Sequence, residues 1–339
     1  MKFDFCIGNP SYQEETEGTS DNPVYHYIMD AAYSIADKVE LITPARFLFN
    51  AGKTPKAWNE KMLSDPHFKV LYYEQDSKKV FKNVDIKGGV AVTYRDSTKN
   101  FGAIEVFTTF KELESLKKKV SGCNSLSELI YSPESYKFTP KVHQDIPNLR
   151  EYLSKGHDYD LTTNIFEKLS NIVFFDEVPD QENEYIQIYG RKNNTRIYMY
   201  VRKDYIIEHE NLLKWKVFLP KSNGSGAIGE VLSTPLCGQP LCGHTQSFIS
   251  IGAFNTQQEA EACLKYIKSK FARACLGILK VTQDNKKSTW KYVPLQNFTA
   301  ESDIDWSVSI KEIDQQLYKK YGLSNEEIAF IESHIREME

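Results

Sequence analysis

Phe3-Asp4-Phe5-Cys6-Ile7-Gly8-Asn9-Pro10-Ser11-Tyr12 joins a short apolar run to a polar turn. The run predicts a strand over 3–7, ended by Gly8. In open α/β sheets, ligands bind outside the carboxyl ends of the strands, which is where Asn9 to Tyr12 would stand. The Asn9 side-chain oxygen and a carbonyl held by Pro10 can both accept hydrogen bonds from one exocyclic amino group. That leaves the nitrogen lone pair available for attack. Tyr12 can stack on the ring that carries the amine. Four residues alone also read as an ordinary Asn-Pro turn closing a strand.

Working outward, Tyr25, Ile28, Met29, Ala32 and Ile35 recur at helical spacing and predict a helix over 24–37. Residues 39–43 predict a strand ended by Pro44. A short helix over 56–64 precedes a strand over 68–75. A hairpin-like pair follows, one arm over 78–86 and the other over 88–96. Alternating strands and helices predict an α/β fold: part of a doubly wound, Rossmann-like sheet, closed by an antiparallel strand at 89–95. The pattern changes after about residue 100, so a boundary is expected between 1–108 and 109–339, the second part being α+β. Residues 110–120 and 145–170 read as helices, and 184–220 as alternating strands. Residues 221–247 are turn-rich. A capping box at Thr256 and Glu259 opens a helix running to 280. Its polar side carries Lys265, Lys268, Lys270, Arg273 and Lys280, a solvated face or a nucleic-acid contact. Two last helices flank Gly322, with Ser324 and Glu327 forming a second capping box.

A net charge of −4 over 339 residues excludes a globally basic nucleic-acid binder, so any such surface has to be local. No apolar run reaches the length of a membrane span, and no signal peptide is visible. The six scattered cysteines then read as free thiols of a cytoplasmic protein.

The order of further motifs resembles the Taq-type N6-adenine DNA methyltransferases of bacterial restriction-modification systems. Asn9-Pro10-Ser11-Tyr12 resembles the family's Asn-Pro-Pro-Tyr motif. Ile42-Thr43-Pro44-Ala45-Arg46-Phe47 resembles its Ile-x-Pro-x-x-Phe segment. Phe81-Lys82-Asn83-Val84-Asp85-Ile86-Lys87-Gly88-Gly89-Val90 resembles its Phe-x-Asn-Val…Gly-Gly-Val element. The C-terminal stretches 265–280, 290–299, 303–307 and 315–332 resemble that branch's target-recognition part. The resemblance implies that Asn9 and the Pro10 carbonyl hold the adenine amine, and that Tyr12 and Phe81 sandwich the ring. It implies S-adenosylmethionine as methyl donor, double-stranded DNA as substrate and no metal. A restriction subunit is a further possible partner.

Two departures qualify it. Ser11 replaces a proline, which costs backbone rigidity. Only eight residues precede Asn9, where the family carries its glycine-rich cofactor loop. The first strands of the sheet are thus missing, and a partner chain or a preceding segment is expected to supply the loop. Methylation by the chain alone is not expected, and its cofactor-binding residues are unassigned. Gly224-Ser225-Gly226-Ala227-Ile228-Gly229 matches G-x-G-x-x-G, but no helix pattern or properly spaced acid follows, so a recognition loop is the better reading. Cys237, Cys242 and His244 have poor zinc spacing and read as thiols beside a turn. Arg191, Lys192, Asn193, Asn194 and Arg196 link two strands. They read as a solvated hairpin turn or, with the resemblance, as DNA contacts to phosphates and base edges. No nuclease signature is visible. The alternative function is a non-catalytic DNA-binding specificity module of a restriction complex.

Overall fold

The computed structural model describes residues 3–14, 22–50, 52–82, 86, 88–224, 227–280 and 283–339. The chain divides into two compact units, Met1–Thr109 and Phe110–Glu339. It is a mixed α/β protein with several small sheets.

The first unit contains β1 (Phe3–Gly8), the two-residue pair β2 (Gln13–Glu14) and β3 (Asn22–Pro23), α1 (Tyr25–Ile35), β4 (Ala36–Pro44), α2 (Lys56–Ser64), β5 (Phe68–Glu74) and β6 (Val90–Asp96). Among the described residues its main sheet has the order β1-β4-β6-β5. β1 runs parallel to β4, and β6 lies antiparallel between β4 and β5. The antiparallel strand expected at the closing edge is therefore internal, and β5 takes the edge. Tyr25, Met29 and Ala32 of α1 bury against Val39 and Leu41 of β4 and Phe68 of β5. Trp58 of α2 donates its indole N–H to Asp30 of α1 at 3.1 Å, which fixes the two helices together. The opposite side of β1 carries Phe3, Phe5 and Ile7, which are 54%, 48% and 71% exposed.

Two boundaries differ from the sequence reading. α1 stops at Ile35 because pairing with β1 starts at Phe3↔Ala36 and draws the next residues into the sheet. The arm expected over 78–86 is not a strand in its described residues. Ser77–Lys79 form a 3-10 turn, the Ser77 carbonyl accepts from the Phe81 N–H at 2.8 Å, and the Ser77 Oγ accepts from the Ile86 N–H at 2.8 Å. These bonds turn the segment back on itself.

The second unit contains α3 (Lys111–Val120), β7 (Ile130–Tyr131), α4 (Pro140–Asp145), α5 (Ile165–Leu169), β8 (Tyr185–Lys192), β9 (Thr195–Arg202), β10 (Trp215–Pro220), β11 (Leu236–Gly238), β12 (Cys242–His244), β13 (Phe248–Phe254), α6 (Gln257–Lys268), α7 (Lys270–Gly277), α8 (Ile310–Lys320) and α9 (Asn325–His334). Its described strands form two sheets, β11-β10-β13-β7 and β12-β8-β9. Phe138, Phe166, Phe174, Ile188 and Met199 centre one core. Most of 145–170 is irregular rather than helical. Pro147 cannot continue a helix from α4, and Gly156 sits at φ +82°, outside the helical region. The long helix expected to run to 280 breaks at Ser269. Ser269 accepts from the Ala272 N–H, while Asp314 of α8 accepts from the N–H groups of Lys270 and Phe271. Three hydrogen bonds to the start of α7 thus replace the continuity of one helix.

The basic residues on the polar side of α6 and α7 are engaged within the protein, Lys265, Lys268 and Lys270 while partly exposed. Lys265 donates to the carbonyls of Trp306, Ser307 and Val308. Lys268 donates to the Glu339 carbonyl and Lys270 pairs with Glu332 at 2.6 Å. Arg273 and Lys280 are buried, donating to Lys268 and Arg336 and to Asn223 respectively. Lys268, Lys270 and Arg273 thereby fasten the C-terminal segment. The capping boxes at Thr256–Glu259 and Ser324–Glu327 form as read, and two more form at Ser125–Glu128 and Ser309–Glu312.

Candidate functional site

The register Cys6↔Val39 to Gly8↔Leu41 carries the chain to the carboxyl end of β1, where Asn9 leaves the sheet. Asn9 and Ser11 are exposed, and Pro10 and Tyr12 are half-buried. The Tyr12 carbonyl accepts from the Val24 N–H at 3.1 Å, tying the turn to the start of α1. The Tyr12 hydroxyl is buried with no hydrogen-bond partner among the described residues. Burial pushes its pKa up to about 12, so it is a neutral phenol at any physiological pH.

Phe81 reaches Tyr12 from the turn after β5. The ring centroids are 6.4 Å apart and the planes meet at 64°, an edge-to-face contact. Asn83, Val84, Asp85 and Lys87 of the same motif lie outside the described residues. Its end is fixed by the Ala45 N–H, which donates to the Gly89 carbonyl at 3.0 Å. Gly88 lies against Arg46, where a Cβ would come within 2.7 Å of the arginine Cγ, at a φ of +86° that favours glycine. Phe47 is buried in the core beside Tyr25 and Trp58. The segments Ile42–Phe47 and Gly88–Gly89 are therefore bound to one another.

The hairpin of the second unit turns through Asn193 and Asn194, at φ of 50° and 62°, the left-handed pair that suits a two-residue β-hairpin. Arg191 donates to the Asn194 side-chain oxygen at 3.2 Å. Lys192 is held by Ser170 at 2.8 Å and Asp176 at 3.9 Å, and the Asn193 N–H donates to Glu167. Arg196 donates to the carbonyls of Ser233 and Thr234, at 3.0 Å each, and lies 5.7 Å from the Phe248 ring centroid. Of the five predicted contacts, Arg191, Asn193 and Asn194 are exposed, while Lys192 and Arg196 hold the protein together.

Cys237 lies in β11, and Cys242 and His244 lie buried in β12 of the other sheet. His244 bonds to the Thr245 carbonyl and the Ser250 Oγ, and burial pushes its pKa down to about 3. No group of His, Cys, Asp or Glu among the described residues is arranged to hold a metal ion. Lys216, which the sequence reading passed over, is fully buried and donates to the carbonyls of Leu212, Gln239 and Cys242. Its alternating, otherwise apolar strand carried no signal of it. Ser225 and Gly226 of the glycine-rich match lie outside the described residues. The Gly229 carbonyl accepts from the Arg336 N–H, and 230–235 is not helical, so this segment does not fit a cofactor loop. No described helix is long and apolar enough to cross a membrane.

Residues 1–81 match a family model described as Eco57I restriction-modification methylase. No curated protein matches the chain. A solved structure described as the type IIG restriction endonuclease BpuSI is similar at 9% identity and a TM-score of 0.37, over 93% of this chain and 48% of that one. The chain thus spans about half the length of that structure.

Proposed function

We propose that the chain takes part in site-specific methylation of adenine N6 in DNA, within a restriction-modification system. The observation that carries this reading is the Asn9–Tyr12 turn at the carboxyl end of β1, with Phe81 against Tyr12, inside the segment that matches the methylase family. A target adenine leaves the duplex and enters beside Tyr12. The Asn9 side-chain oxygen and the Pro10 carbonyl accept the two amine hydrogens, which directs the nitrogen lone pair outward. Tyr12 and Phe81 rotate from their edge-to-face contact to take the base. The donor is S-adenosylmethionine, whose sulfonium makes methyl transfer possible without a metal. Its binding loop is assigned to a partner chain or to a segment outside the residues described. The second unit supplies target recognition.

The test is transfer of labelled methyl from S-adenosylmethionine to duplex DNA, with the chain alone and with the product of the neighbouring reading frame. Methylation that disappears in Asn9→Ala supports the proposal. Methylation unchanged by Asn9→Ala refutes it. One observation favours a second reading, a non-catalytic specificity module: Tyr12 and Phe81 meet edge to face rather than standing parallel to receive a base. DNA binding without methylation in any reconstituted mixture would establish that alternative.

A further inference from the structure

A groove of about 680 Å³ lies on the second unit beside the turn end of the β8–β9 hairpin. Arg191, Arg196 and Lys221 line it, together with Thr163, Ser222 and Ser247. Its one carboxylate, Glu167, is engaged by the Asn193 N–H. Lys221 forms no ion pair with any described residue, and neither does Arg191. The walls are rigid: the Lys221 N–H donates to the Ser247 carbonyl at 3.1 Å, the Lys221 carbonyl accepts from Asn285, and the Gln246 N–H donates to the Leu161 carbonyl.

We propose that this groove seats the phosphate backbone of duplex DNA, with Lys221 as its main phosphate contact and Arg196 as a positioning residue. The inference rests on the reading of the second unit as a DNA-recognition part. Cationic side chains beside hydroxyls are the usual donors to phosphate oxygens. The groove offers no open aromatic face, because its one ring, Phe248, is buried and lies beside the Arg196 guanidinium. Single strands and RNA loops are held chiefly by stacking on such faces, so the lining suits a duplex. Arg196 anchors the hairpin to Ser233 and Thr234, which aims Arg191 and Asn194 toward the bases next to the seated phosphates.

The experiment measures binding of the full chain to duplex DNA by fluorescence anisotropy across a salt series. Lys221→Gln weakens binding equally for all sequences and lowers the log–log salt slope by about 0.9, one phosphate contact. Ser222→Glu, on the exposed rim, also weakens binding. Arg196→Lys keeps the charge but loses the two-carbonyl grip; it weakens binding while the slope stays near that of the wild type. Melting temperatures confirm that each variant is folded. A wild-type slope and affinity in both Lys221→Gln and Ser222→Glu would overturn the groove proposal while leaving DNA recognition intact. A wild-type chain that binds no duplex, or binds single-stranded RNA more tightly, would overturn both.

Discussion

The rings of Tyr12 and Phe81 meet edge to face, 6.4 Å between centroids and 64° between planes, although 68 residues separate them in the chain. The contact joins the turn after β1 to the turn after β5 and makes the pair a single aromatic element. Phe81→Ala removes half of it. With 2-aminopurine at the target position, this variant should lose most of the fluorescence change on binding and bind roughly tenfold more weakly. Tyr12→Phe deletes a buried hydroxyl that has no partner among the described residues, so its melting temperature should equal or exceed that of the wild type.

Gly89 permits the close approach of the turn before β6 to the end of β5. Its φ is +80°, and an added methyl would overlap the Glu74 carbonyl. Gly89→Ala should cost about 2 kcal/mol or more in urea unfolding. Gly102→Ala provides a control that separates backbone strain from steric overlap. It shares a positive φ but has open space around it, so only the strain remains.

His244 makes stability depend on acid. Its pKa is about 3 when folded, against about 6.5 for an exposed histidine. The unfolded chain therefore binds more protons between these values. The contribution of the neutral ring is complete above pH 6.5 and is lost as pH falls toward 3. The full shift corresponds to as much as about 5 kcal/mol. Urea midpoints measured from pH 7 to 4 should fall in the wild type and fall less steeply in His244→Gln.

Asp314 caps the start of α7 through two backbone N–H groups, at 3.0 and 2.9 Å. Asp314→Ala should cost about 1–2 kcal/mol and lower the protection of the Lys270 and Phe271 amides in hydrogen exchange. The Thr256 end of α6 should keep its protection, because its own capping box is untouched.

The local grammar of the chain was legible in its residues. Helical spacing located α1, and the S/T-x-x-E pattern located the starts of α6 and α9. Alternation located β8, β9 and β10. The order of short motifs drew Asn9, Tyr12 and Phe81 to one chemistry before any contact was known. Other features depend on distant partners. Nothing in 257–280 announces a break at Ser269, because Asp314 lies more than forty residues away. The lysines of α6 and α7 read as a solvated or DNA-facing side, and their bonds to carbonyls of 306–308 and to the C-terminal segment depend on chain far from them.

The sequence by itself determined which residues can form strands, helices, caps and a tight Asn-Asn turn, since these depend on backbone preference and short-range spacing. Only the tertiary structure decided that β6 lies between β4 and β5, that Lys192 and Arg196 brace the fold while Arg191 faces outward, and that Lys221 shares a groove with Arg191 and Arg196. Burial and long-range hydrogen bonding set those outcomes, and both arise only when distant segments meet.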